Sequence, residues 1–286
     1  MTGRKTPVGV VGAGVIGCSV AHAVARAGAP VTLYDNSPKA LDSVADTLRT
    51  AERITRLRKG RAALAPVTPT SDPRRLADCE VVIENVTEDI AVKERVHREL
   101  DAVLAPESVV AVNTSAVPIT RLALATAHPG RVIGAHFMNP VALIDAVEVV
   151  RTAYAEPAAL ERLRSFLSLI GKRSVVVADA AGFVINRCLM MFVNEAADLH
   201  AAGVAGPEEI DQLFQDCLGH RSGPLRTADL IGLDTVVRTL EVLAHYYGPA
   251  RFTPAPLLRQ MVDAGRLGRK SGRGFYRYTA DEVGAR

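Results

Sequence analysis

Two hydrophobic regimes divide this chain. Through residue 179, short and nearly continuous apolar runs recur at Val8 to Val11, 31–35 (VTLYD), 79–86 (CEVVIENV), 108–115 (SVVAVNTS), 131–137 (RVIGAHF), 146–150 and 173–179 (RSVVVAD). Such runs, rich in valine and isoleucine, suit strands buried on both faces, as in parallel sheets. Between them, 18–28, 90–104 and 159–172 carry apolar residues at helical spacing. From residue 180 the strand pattern stops. A long apolar helix is predicted over 188–203, and a second over 206–219, where Ile210, Leu213, Phe214 and Cys217 share a face behind Pro207. A further helical region follows over 227–248. The alternation predicts an α/β domain with a doubly wound parallel sheet over residues 1–179, followed by a smaller all-α domain over 180–286.

The turn after the first run reads GAGVIG, so Gly12, Gly14 and Gly17 form G-x-G-x-x-G. A helix closed by Gly28 follows, and then a strand pattern that ends in Asp35. Strand, glycine turn, helix, strand and acid together frame a Rossmann-type dinucleotide site. Gly12 allows the tight turn, Gly14 lets a pyrophosphate approach the backbone, and Gly17 lets the helix pack close to the sheet. The helix N-terminus then faces the phosphates. Asp35, eighteen residues after Gly17, is placed to accept from a ribose hydroxyl. Its charge would repel a 2′-phosphate, and Asn36 and Ser37 supply no arginine, so NAD is expected rather than NADP. Lys39 is the one nearby cation that argues the other way.

Composition narrows the class further. The chain has 286 residues, 48% hydrophobic and 23% charged, which fits a globular protein with a core large enough to need no staples. The four cysteines are scattered without a C-x-x-C pair, so neither a disulfide framework nor a metal site is expected, and a reducing cytoplasm fits. The opening MTGRKTPVGVVGAG is too short and too rich in glycine for a signal peptide, and no apolar run is long enough to span a membrane. A net charge of +3 makes no case for nucleic acid. Basic residues do bunch at 265–278 (GRLGRKSGRGFYRY), a pattern more common in solvated segments than in binding patches.

Ligands of doubly wound sheets sit at the carboxyl ends of strands. Polar groups gather there in this sequence: Glu88 and Lys93, Asn113 and Ser115, His136 and Asn139. Each has a plain alternative, as a turn, a cap or a solvated helix residue. Glu148 stands inside the apolar run AVEVV, where an ionised carboxylate is costly unless paired. His136, twelve residues earlier, is its natural partner. Such a pair would fix the imidazole tautomer and stabilise its protonated form, as a dehydrogenase base requires. From spacing alone, a bridge that only ties two strands together stands level with it. Asn186, alone, reads as a capping residue where the helical domain opens. The all-round apolar helix at 188–202 suggests a homodimer.

With these pieces in order, the chain resembles the 3-hydroxyacyl-CoA dehydrogenase family, in particular its short 3-hydroxybutyryl-CoA dehydrogenase members. The resemblance runs from VGVVGAGVIG to GRKSGRGFYRY, through VIENVTEDIAVK, NTSAVPIT, GAHFMNPV, VEVV, GFVINR, NEA and GPLRTADLIGLD. It implies His136 as the base in the oxidative direction and Glu148 as its orienting partner. Ser115 and Asn186 would hold the substrate hydroxyl or thioester region. Gly12, Gly14, Gly17 and Asp35 would bind the ADP half of NAD, and Glu88, Lys93, Asn113 and Asn139 would line the nicotinamide side. The helical domain would close over the substrate and carry the dimer interface, with the basic segment as one of its structural loops.

The chain also departs from that pattern. Arg221 and Ser222 precede the Gly-Pro of GPL where an apolar residue is usual, Arg226 and Thr227 follow it, and Ala181 replaces a proline. The changes at 221–227 fall on the substrate side. They resemble variants that oxidise a glyceryl group on an acyl carrier protein toward a hydroxymalonyl or methoxymalonyl polyketide extender unit. Acyl-CoA and acyl carrier protein are thus both expected as substrate handles. A dehydrogenase of a free hydroxy or sugar acid, with Arg221 or Arg226 clamping its carboxylate, is a further alternative. So is an NAD-binding protein without catalysis.

Overall fold

The computed structural model describes residues 7–115 and 117–284. The first six residues of the N-terminal stretch read above lie outside the described residues. Two compact units divide the chain, residues 1–180 and 181–286.

In the first unit, eight strands form one sheet: β1 Val8–Val11, β2 Val31–Tyr34, β3 Val67–Thr70, β4 Val81–Glu84, β5 Val109–Val112, β6 Val132–Phe137, β7 Ala146–Arg151 and β8 Arg173–Ala178. The order across the sheet is β3-β2-β1-β4-β5-β6-β7-β8. The order reverses beside β1, which opens a crevice at the carboxyl ends of β1 and β4. β1, β4, β5 and β6 are buried along their whole length, as their unbroken apolar runs require. The helices of this unit are α1 Val15–Arg26, α2 Pro38–Asp42, α3 Val44–Lys59, α4 Ile90–Val103, α5 Ile119–Ala123 and α6 Pro157–Leu169.

The sheet is mostly rather than wholly parallel, because β6 and β7 pair antiparallel. Only residues 138–145 join them, too short a link for the crossover that a parallel pair needs. The register sets His136 directly opposite Glu148. Residues 36–78 hold α2, α3 and β3, although the hydrophobic pattern assigns them no element. The reason is local: α3 buries only Val44 and Thr55, and β3 is an edge strand that contains Pro69.

The second unit is helical: α7 Ile185–Ala201, α8 Pro207–Leu218, α9 Pro224–Ile231, α10 Leu233–Tyr247, α11 Pro249–Phe252, α12 Pro256–Asp263 and α13 Ala280–Gly284. Its core gathers Met190, Val193, Leu225, Leu233, Leu240, Phe252 and Leu258. The region 227–248, continuous by pattern, breaks at Gly232, whose φ of 100° ends α9 and redirects the chain into α10. The basic segment 265–278 folds around the buried Asp229 of α9. That carboxylate accepts hydrogen bonds from the backbone N–H groups of Phe275 and Tyr276 and from the Tyr278 hydroxyl. Among the described residues, no helix is long and apolar enough to cross a membrane.

Candidate active site

The crevice beside β1 begins with the glycine turn. Gly12 has φ of 94°, and a Cβ there would stand 2.8 Å from the Asn85 carbonyl oxygen. A Cβ at Gly17 would overlap the carbonyl of Gly12, so helix and turn can approach only with glycine at both places. The space over Gly14 is open, and no side chain caps the N-terminus of α1. An uncapped helix end beneath an open glycine fits the pyrophosphate of a dinucleotide. Asp35 lies at the end of β2, half-buried. Its oxygens accept from the N–H of Ala13 at 2.6 Å and of Ser37 at 2.8 Å. Each carboxylate oxygen keeps a second lone pair with which to meet a ribose hydroxyl.

Farther along the same edge, three side chains line up. His136 Nδ1 lies 3.0 Å from Glu148 Oε2, and both residues are buried. On the other side of the ring, Ser115 Oγ lies 3.3 Å from Nε2. A carboxylate at Nδ1 favours the tautomer that carries its proton there and leaves Nε2 as the basic nitrogen. Glu88 reaches Ser115 from the loop after β4: its Oε1 accepts from the Ser115 N–H at 2.8 Å and from the Thr114 hydroxyl. Asn113 ties the loop after β4 to the end of β6, donating from Nδ2 to Asn85 Oδ1 at 2.7 Å and accepting from the Phe137 N–H at 3.1 Å. Asn139 is exposed in the β6–β7 connection and precedes a cis proline bond.

Lys93 is not the solvated helix residue that its charge suggests. It is fully buried, with Nζ donating to Glu84 Oε1 at 2.9 Å, Glu84 Oε2 at 3.1 Å and the Asn113 carbonyl at 3.3 Å. Its distance to Glu88 Oε2 is 3.7 Å. On the far side of Glu84, His97 Nε2 lies 3.3 Å from Oε2. Burial pushes the Glu84 carboxyl up, but the His97 bond and the Lys93 charge outweigh it and hold the group below the ordinary carboxylate range. Sequence reading missed Glu84 and His97. Glu84 carries the same signal as Glu148, a carboxylate inside an apolar run. His97 follows Lys93 by four residues and precedes Leu100 by three, so helical spacing sets all three on one face of α4.

In the second unit, Asn186 occupies the first turn of α7, just after Gly182 and Phe183 at φ of 72° and 50°. Ser222 and Thr227 serve the start of α9 locally: the Thr227 hydroxyl donates to the Gly223 carbonyl at 2.7 Å and lies 3.2 Å from Ser222 Oγ. The guanidinium of Arg226 stacks 4.2 Å from the Tyr276 ring centroid, and its backbone N–H donates to the buried Asp211. Arg221 is exposed.

Fold and site together define a dinucleotide-binding α/β protein with a histidine–carboxylate pair across β6 and β7 and a separate helical unit. Comparison with known proteins sharpens that class. The family models for the 3-hydroxyacyl-CoA dehydrogenase NAD binding domain and C-terminal domain match residues 7–180 and 182–278. A 3-hydroxybutyryl-CoA dehydrogenase from Mycobacterium tuberculosis is 41% identical over 280 residues, covering 95% of this chain and 98% of that one. The crystal structure of M. tuberculosis FadB2 superposes with a TM-score of 0.92 at 38% identity, over 96% of this chain and 100% of that one. That of (S)-3-hydroxybutyryl-CoA dehydrogenase PaaH1 from Ralstonia eutropha gives 0.90 at 34%, over 96% and 99%. The chain belongs to the 3-hydroxyacyl-CoA dehydrogenase family and is an NAD-dependent oxidoreductase.

Proposed function

We propose that this protein oxidises the 3-hydroxyl of a short 3-hydroxyacyl thioester, and reduces the ketone in reverse, with His136 as the acid–base group. The observation that carries the reading is the line Ser115–His136–Glu148, with Glu148 Oε2 3.0 Å from Nδ1 and Ser115 Oγ 3.3 Å from Nε2. Bound NAD would supply the acceptor for the hydride on C3. The proton of the hydroxyl goes to His136 Nε2, and Glu148 stabilises the imidazolium that results. Ser115 and Asn186 hold the hydroxyl or thioester. Gly12, Gly14, Gly17 and Asp35 hold the ADP half of the cofactor. Glu88, Asn113 and Asn139 line its nicotinamide side, with Lys93 behind them.

The relatives' names support CoA as the handle. Arg221 and Arg226 are both exposed on the helical unit and would suit the acidic surface of an acyl carrier protein as a second handle. That unit also exposes Leu213 and Leu218 on α8, which supports a homodimer formed through it. The free cysteines Cys18, Cys79, Cys188 and Cys217 suit the reducing cytoplasm as the place of action.

The test is an NADH-formation assay with 3-hydroxybutyryl-CoA, a glyceryl-carrier protein, free 3-hydroxybutyrate and a sugar acid side by side. Turnover of a thioester is expected. Preference for a free acid would replace the proposal with the carboxylate-clamp alternative. Tight NAD binding without turnover of any substrate would make the protein a non-catalytic binder.

A further inference from the structure

The β6–β7 connection, residues 138–145, begins two residues after His136 and carries Asn139. A single turn forms inside it, where the Pro140 carbonyl accepts from the N–H groups of Leu143 at 3.0 Å and Ile144 at 3.2 Å. One turn satisfies few of its own backbone groups, so the others must find partners outside it. Two side chains from distant parts of the same unit provide them. Ser19 Oγ, on α1, accepts from the N–H of Val141 at 3.1 Å. Lys172, just before β8, donates from Nζ to the Val141 carbonyl and, at 2.7 Å, to the Ile144 carbonyl. Val141 is thus held by its N–H from one element and by its carbonyl from another, two residues beyond Asn139.

Water could satisfy a surface connection without the cost of burying an ammonium. Lys172 and Val141 are nevertheless both buried. What the two side chains add over water is a fixed place for the turn. Ser19 matters for where it stands: five residues after Gly14, on the helix whose N-terminus would face the pyrophosphate. Its bond to Val141 sets the spacing between that end of the cofactor site and the segment that carries Asn139. The groups that would hold the ADP half, Gly12, Gly14, Gly17 and Asp35, take no part in these bonds. We infer that Ser19 and Lys172 are positioning residues that hold the β6–β7 connection so that Asn139 meets the nicotinamide half of NAD, an inference that rests on the reading of Asn139 proposed above.

Calorimetry with NAD and with ADP-ribose, which lacks the nicotinamide, separates this role from general support of the fold. In Ser19→Ala and in Lys172→Met, NAD affinity is expected to fall about 3- to 10-fold, the worth of one lost hydrogen bond, while ADP-ribose affinity holds within about twofold. With 3-hydroxybutyryl-CoA and saturating NAD, kcat should fall roughly tenfold, because a loosely held nicotinamide is poorly aligned for hydride transfer. Ser19→Thr keeps the acceptor and should bind NAD as the wild type does. Asn139→Ala should itself lose affinity for NAD and not for ADP-ribose. Adding Ser19→Ala to it should cost no more than about twofold further, since Ser19 acts through Asn139. Should Lys172→Met fail to fold through its stranded carbonyls, the Ser19 variants decide the matter.

Equal losses for NAD and ADP-ribose would overturn the inference. So would unchanged NAD affinity in Ser19→Ala, a loss in Ser19→Thr as large as in Ser19→Ala, or losses that multiply with Asn139→Ala. Failure of the underlying reading looks different: Asn139→Ala would then bind NAD as tightly as the wild type, and the inference would fall with it.

Discussion

Glu148 is where charge, register and burial meet most sharply. A carboxylate in the middle of β7 would be a heavy cost to the sheet, and the antiparallel register offsets it by setting His136 directly opposite. If Glu148 orients the base, Glu148→Gln should damage chemistry more than folding. The amide keeps the shape of the side chain, but it can present an N–H to Nδ1 and so drive the ring proton to Nε2, where the base must be empty. We expect kcat to fall roughly 10²- to 10⁴-fold, with NAD affinity by calorimetry and the circular dichroism spectrum unchanged. Wild-type turnover would remove Glu148 from the mechanism. His136 and Glu148 were legible because a lone acid in an apolar run asks for a partner, and a short connection between two strands supplies one. Glu84 asked the same question inside VVIE, but its partners Lys93 and His97 lie on a helix. No strand register points to a helix face. The twelve-residue separation of the first pair could be read, whereas the second needed the packing of α4 on the sheet.

At the scale of elements, most strands and helices were readable where burial wrote a period into the sequence, whereas β8, with Val175 and Val176 exposed, was readable from its β-branched run alone. The polar α3 and the proline-bearing edge strand β3 were not readable. Nor was the junction that holds the β6–β7 connection. Lys172, just before β8, is buried, and its ammonium donates to the carbonyls of Val141 and Ile144. Burial, with the nearby charge of Lys59, pulls that ammonium from its ordinary 10.5 down to about 8, and Asp145 offsets only part of the effect. Because the folded value is the lower one, the unfolded chain binds more protons between about 8 and 10.5, and stability contributed at this site rises with pH across that window. Below the window, the charged ammonium is carried into the fold at a cost. Relative to Lys172→Met, which has no such proton, wild-type unfolding free energy should therefore improve by about 1 kcal/mol from pH 7 to pH 9 in urea titrations. A difference that stays flat over that range would mean that Lys172 keeps its ordinary affinity for the proton.

At the scale of the whole molecule, two hydrophobic cores are built separately. One cluster draws its residues from the sheet unit, from Val8 to Ile170, and the other from the helical unit, from Ala181 to Met261. Cofactor recognition by the glycine turn belongs to the first unit alone, so NAD and a lesion in the second core act on different parts of the chain. Leu240, fully buried in α10, is a suitable lesion, since truncating a core leucine costs about 2–5 kcal/mol through lost burial and an unfilled cavity. NAD at 100 times its Kd stabilises the unit that binds it by about 2.7 kcal/mol. In scanning calorimetry, Leu240→Ala should separate two transitions. The lower one belongs to the helical unit and is insensitive to NAD, and the upper one belongs to the sheet unit and moves up as NAD is added. A single transition, lowered by Leu240→Ala and raised by NAD, would show instead that the two cores unfold as one cooperative structure. Stability of the helical unit would then be set in part by the cofactor.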